Sequence, residues 1–148
     1  MKRTLCTVGV IALVAAPAAL GSGGRTINAI ARSAGITFVD ADRSGKPSIG
    51  DYEIGKSVYV NPASGKVIGR GSVVCTQTDA AGVVYQCQGV THFAGGDIVT
   101  AGPFTATSKS VSLAVVGGTG VYAGTNGLLT TTWLDSRFAR AKVAIALD

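Results

Sequence analysis

The sequence predicts an all-β protein, a small eight-stranded antiparallel β-barrel, and three observations carry that prediction. Glycine supplies 21 of 148 residues, about twice the usual share of roughly 7%, and it is dispersed with no fixed period. Between the glycines lie short runs rich in Val, Ile, Thr and Tyr, the composition of strands joined by tight turns. No convincing helix separates the later runs, which disfavours parallel crossover connections and favours hairpins. Closing eight such strands into a barrel also removes exposed strand edges. A β-sandwich is the alternative architecture.

Residues 1–21 read as a secretory signal peptide. Lys2 and Arg3 form a positive start, residues 5–20 are almost wholly apolar, and Ala16 and Ala18 fit an A-x-A cleavage site. A retained anchor is the alternative, although the run falls short of the about 20 residues of a comfortable span. No second run is long and apolar enough to cross a bilayer. The mature chain is therefore expected to be extracellular, without stable membrane insertion. Residues 22–35 read as a leader segment or a short helix, because Ile27, Ile30, Ala31 and Ala34 share a helical face. The barrel domain is placed at 36–148.

Within it, strands are expected near 36–41, 51–60, 66–77, 83–93, 97–107, 109–116, 125–133 and 137–147. Turn chemistry marks the connections at 42–47, 61–65, 79–82 and 117–120, each with at least one glycine. The third and fourth strands form the best-specified hairpin. Asp79 to Gly82 suits a type I turn with Gly82 in the left-handed position. Pairing Asp79 with Val83 then sets Cys75 opposite Cys87. Cys6 leaves with the signal peptide, so these two remain as an even pair in an oxidising compartment and are expected to form a disulfide. The same register turns Val73, Cys75, Tyr85, Cys87 and Phe93 to one side of the sheet, and Gln86, Gln88 and His92 to the other.

Charge and motif content exclude several functions. Loss of Lys2 and Arg3 leaves 11 basic against 8 acidic residues, scattered, with no basic run interleaved by aromatics. Nucleic acid is therefore not an expected partner. Residues 118–123 fit G-x-G-x-x-A formally. No helix follows to receive a pyrophosphate, so no dinucleotide cofactor is expected. His92 is the single histidine, too few for a histidine-cysteine metal site and without a nucleophile elbow to serve, so no metal is expected. The few carboxylates are more informative. Asp42 reads as a turn former, and Asp40 as a residue aimed into the barrel mouth. Asp51 and Glu53 share a face with Ser57 and Tyr59. The opposite face carries Tyr52, Ile54, Val58 and Val60, so simple alternation puts Asp51 and Glu53 outside.

Residues 115–127, Val-Val-Gly-Gly-Thr-Gly-Val-Tyr-Ala-Gly-Thr-Asn-Gly, resemble a V-x-G-G-[TS]-G-aromatic-x-x-x-x-G signature of the allene oxide cyclase and dirigent families. Gly50-Asp51, Gly69-Arg70-Gly71, residues 95–98 and Gly102-Pro103 extend the likeness upstream. The resemblance implies an exported eight-stranded barrel with an apolar pocket, assembled as a homo-oligomer (trimer or dimer). Small bacterial barrels that catalyse [4+2] cyclisation look similar in strand pattern. Allene oxide cyclase functional positions align with Thr37, Val39 and Lys56 or Ser57, and a pocket cysteine with Cys75. A dirigent first-strand aspartate aligns with Asp40, while the arginine after the glycine loop is absent, Ala123 and Thr125 lying there instead.

Together these readings give a secreted barrel that binds a small apolar molecule and guides its cyclisation or coupling, as an isomerase or cyclase without cofactor. Asp40 is the candidate catalytic residue, and Glu53, Ser57, Tyr59, Tyr85 and Tyr122 are the candidate ligand-binding residues. A non-catalytic ligand-binding or surface protein on the same scaffold is the alternative.

Overall fold

The structure is a computed structural model that describes residues 24–148; the segment read as a signal peptide lies outside the described residues. Eight strands run β1 Arg25–Val39, β2 Tyr52–Val60, β3 Val67–Gln77, β4 Val84–Phe93, β5 Gly96–Thr105, β6 Ser110–Gly118, β7 Gly127–Trp133 and β8 Arg140–Leu147. Each pairs antiparallel with the next, and β8 returns to β1, closing the barrel in sequence order. Among the described residues no helix is long and apolar enough to cross a membrane.

Seven strands begin and end within three residues of the expected bounds. The first does not. Residues 25–35, read as leader or helix, form the first two-thirds of β1. Arg25 to Arg32 pair with Leu147 to Arg140 of β8, while Ile30 to Val39 pair with β2. The helical reading fails because Ala29 and Ala31, not an i, i+3, i+4 set, are the buried positions. Period-two burial makes this a strand, and small side chains there let β8 pack close. A bulge between Ser33 and Gly35 then redirects the strand's second half.

The interior is packed at one end and hollow at the other. At the end holding the β1 N-terminus and the β8 C-terminus, Ile98, Val115, Leu129, Val143, Ile145 and Leu147 form a buried cluster. Each contributes about 1.5–3 kcal/mol by leaving water. Tyr122, in a short 3-10 turn at Gly120–Tyr122, plugs that end. Its ring centroid lies 6.1 Å from Phe93, which lies 5.9 Å from Tyr59, and the Arg25 guanidinium sits 5.5 Å over the Tyr122 face. The opposite half holds a looser set, Tyr85, Cys87 and Leu113 with Val73, Phe104 and Val111 around them.

The glycine signature is explained by this plug. Gly120 has φ +58, and a Cβ there would collide with the Gly95 carbonyl oxygen. Val121 N–H donates to Gly95 O, Thr119 N–H to Asp97 O, and Asp97 N–H to Thr119 Oγ1. Residues 117–120 thus lock onto the start of β5, in place of the phosphate cradle their spacing formally allows.

Candidate functional site

The β2, β3 and β4 register stacks the inward residues in rows, and these build the wall of the hollow half. Glu53 pairs with Cys75, Cys75 with Cys87, and Cys87 with Gly102. Cys75 and Cys87 form the expected disulfide, with Cα atoms 4.0 Å apart. One row deeper come Gly55, Val73, Gly89 and Thr100, and below them Ser57, Gly71 and Thr91. Tyr59 lies at the floor of the hollow. The three glycines clear a flat strip: a Cβ on Gly71 would stand 2.9 Å from the Tyr59 ring, and one on Gly55 3.0 Å from Val73. Across the barrel stand Leu113, Leu129, Trp133 and Val143.

The cavity, open at its rim, measures about 340 Å³, within the range of small-molecule sites. Ile36 and Phe138 line it and are solvent-exposed at its rim. Phe138 holds φ +54 and meets Trp133 edge-on at 5.0 Å. Apolar side chains dominate the lining, and a few polar groups converge within it: the Glu53 carboxylate, the Tyr59 and Tyr85 hydroxyls, and the Ser57, Thr91 and Thr131 hydroxyls. Burial raises the pKa of Tyr59, with a hydrogen bond to Thr91 opposing in part. Burial also raises that of Tyr85, aided by the negative charges of Glu53, Asp79 and Asp51. Both phenols therefore stay protonated at neutral pH, and the Tyr85 hydroxyl donates to the Gly82 carbonyl at 3.3 Å.

The structure brings together Glu53, Ser57, Tyr59 and Tyr85 of the expected site residues. Glu53 was expected outside by alternation; it faces the lumen. Asp51, given the same outward reading, is fully buried, its carboxylate accepting from Ala41 N–H at 2.8 Å and Ser48 N–H at 2.7 Å. Two other residues lie elsewhere. Asp40 does not line the cavity, because its carboxylate accepts from the Ser44 and Gly45 N–H groups in the loop beyond β1. Tyr122 is buried in the plug at the far end. Sequence reasoning missed Phe104, Trp133 and Phe138 as cavity residues, and it missed the glycine strip. Gly55, Gly71 and Gly89, at inward positions of three neighbouring strands, were the signal that would have found the strip.

The chain is thus a closed eight-stranded barrel with one plugged end and, at the other, a cavity of ligand size. No family model matches the chain, and no curated protein matches it in sequence. Solved structures do. A pyocyanin demethylase superposes with TM-score 0.71 at 23% identity, covering 84% of this chain and 100% of that one. A pterocarpan synthase dirigent protein gives 0.66 at 16%, covering 84% and 93%. An exo-specific intermolecular Diels-Alderase gives 0.64 at 11%, covering 85% and 98%. The fold expected from the glycine signature is therefore the fold observed.

Proposed function

We propose that the chain is an exported barrel that takes a small, largely apolar molecule into its lumen and guides its cyclisation or coupling. The observation that carries this reading is the convergence of one carboxylate and two phenols inside an otherwise apolar cavity of about 340 Å³. Such a cavity excludes water and holds a flexible substrate in its reactive conformer, which accounts for much of a cyclisation barrier. The names of the structural neighbours, a pterocarpan synthase dirigent protein and a Diels-Alderase, support the same reaction class.

In this reading the flat glycine strip seats one face of the substrate, and the Tyr59 hydroxyl donates to an oxygen on it. Glu53 takes the place first given to Asp40. It accepts a proton from the substrate as the new ring bond forms and returns it to the product, so an isomerisation balances without cofactor. Coupling of two phenols would instead pass two electrons to an external oxidant. Export accords with the disulfide, which belongs to oxidising compartments. The proposal includes self-association, for which the outer strip carrying Val116 and Leu128, exposed and uncharged, offers a contact face.

Saturable fluorescence enhancement of the neutral probe N-phenyl-1-naphthylamine tests the cavity, and Gly89→Leu should abolish it. Conversion of a panel of polyene and phenolic substrates, resolved by chiral chromatography, tests the chemistry. Glu53→Gln should keep the probe affinity and lower turnover by about 10²- to 10⁴-fold. Unchanged turnover would remove Glu53 from the reaction. The engagement of Asp40 with its own loop favours a second reading, a non-catalytic carrier on the same scaffold. Probe binding with no stereochemical bias in any product would select it.

A further inference from the structure

The loop joining β1 to β2 runs from Asp40 to Asp51, twelve residues. Oxygen-bearing side chains stand at its positions 1, 3, 5, 9 and 12, namely Asp40, Asp42, Ser44, Ser48 and Asp51. Gly45 holds position 6. This is the spacing of calcium loops, in which position 7 adds a backbone carbonyl and glycine at 6 permits the sharp turn. Gly45 accordingly has φ +72. Two positions depart from the usual pattern: serine replaces Asp or Asn at 5, and aspartate replaces glutamate at 12. Both substitutes still offer oxygen.

The three carboxylates converge. One oxygen from each of Asp40, Asp42 and Asp51 lies within 4.8 Å of the others. Among the described residues no lysine or arginine pairs with any of them, although Arg43 and Lys46 belong to the same loop. Backbone N–H groups donate to both oxygens of Asp40 and of Asp51 and to one oxygen of Asp42. They shape the loop without neutralising three negative charges brought to one point.

A separate observation points to a ligand. The Ser48 hydroxyl oxygen has less than 1 Å² of accessible surface and no hydrogen-bond partner. A buried, unpaired oxygen is costly. Ser48 is tied to the cluster by its own N–H, which donates to Asp51 Oδ2 at 2.7 Å, so a cation held by the carboxylates would satisfy the hydroxyl.

We propose that residues 40–51 bind one Ca²⁺ ion through Asp40, Asp42, Ser44, Ser48, Asp51 and the Lys46 carbonyl. An all-oxygen set suits Ca²⁺; Zn²⁺ prefers nitrogen and sulfur, and Mg²⁺ holds its waters and demands a tighter octahedron. Three carboxylates, none of them a glutamate at position 12, place the affinity with weak sites of the extracellular kind. The ion would brace the loop where β2 begins, two residues before Glu53. The site stands apart from the cavity, so its failure would leave the proposed function untouched.

Calorimetric titration of EDTA-treated protein with CaCl₂ tests the proposal. One ion per chain is expected, with Kd between about 10 μM and 1 mM, and about 10 mM CaCl₂ should raise Tm. Asp51 is buried, and its replacement risks misfolding, so exposed Asp42 carries the test. Asp42→Asn should weaken binding at least about tenfold while leaving the Tm in EDTA unchanged. Ser48→Ala, with a smaller loss of affinity, should confirm that the hydroxyl belongs to the site. No heat and no rise in Tm for the wild type would overturn the proposal. So would Asp42→Asn binding as tightly as wild type, or MgCl₂ producing an equal response.

Discussion

Glycine at position 71 shows how one absent side chain shapes the cavity. Its Cα lies under the Tyr59 ring, and an added methyl would stand 2.9 Å from that ring and 3.2 Å from Thr91 Oγ1. Gly71→Ala gains about 0.5–1 kcal/mol from reduced chain entropy but forces the ring aside, an overpacking cost of about 1–3 kcal/mol. A net loss in urea denaturation is expected, and a variant as stable as wild type would mean that the ring yields freely. Tyr59 itself makes a pH prediction. Its folded pKa lies above the ordinary 10.0 because the phenol is buried, so the unfolded chain gives up that proton first. The stability it contributes is complete below pH 10 and declines as pH rises toward the folded value. Tyr59→Phe should begin about 1 kcal/mol less stable, from the lost hydrogen bond. It should then lose less between about pH 9 and pH 11 than wild type does. Parallel slopes in denaturation at the two pH values would contradict this.

At the scale of elements, the β3–β4 hairpin was legible because its turn chemistry fixed its register. Asp79 Oδ1 accepts from the Val83 and Val84 N–H groups, Gly82 adopts φ +71, and Cys75 falls opposite Cys87. The disulfide closes a short loop, with the two cysteines 12 residues apart. Replacing both cysteines by alanine should therefore cost about 2–3 kcal/mol. Since Cys75 and Cys87 also wall the cavity, probe affinity should fall in the same variant. Unaltered stability would mean that the unfolded chain is not constrained by the bridge. The face of β2 was not legible, and the reason is physical. Alternation locates a dry core, because burial there selects apolar groups. A ligand cavity reverses that rule locally: Glu53, Ser57 and Tyr59 point inward, while Tyr52, Ile54 and Val58 lie on the partly covered outer face. The twelve-residue loop was read as turn chemistry, and Asp42 does form a turn, accepting from Ser44 N–H; the meeting of three carboxylates shows only in the fold.

For the whole molecule, closure depends on the segment that looked least like structure. The sequence suggested a domain beginning at residue 36, since Ile27, Ile30, Ala31 and Ala34 share a helical face and residues 22–35 read as a leader or short helix. That stretch supplies all the pairing between β1 and β8, eight residue pairs from Arg25–Leu147 to Arg32–Arg140. Without it, β8 becomes a free edge. Its inward side chains Ala141, Val143, Ile145 and Leu147, all buried in the intact barrel, lose the wall that covers them. A closed barrel has no spare strand to take that place, and an exposed apolar edge templates association. A chain beginning at Gly24 should give a cooperative unfolding transition and a single compact species in size-exclusion chromatography. One beginning at Ile36 should aggregate or show no cooperative transition. A soluble, cooperatively folded chain from Ile36 would mean that seven strands and a fragment of the eighth can seal the barrel, and that the small residues of β1 only decorate it.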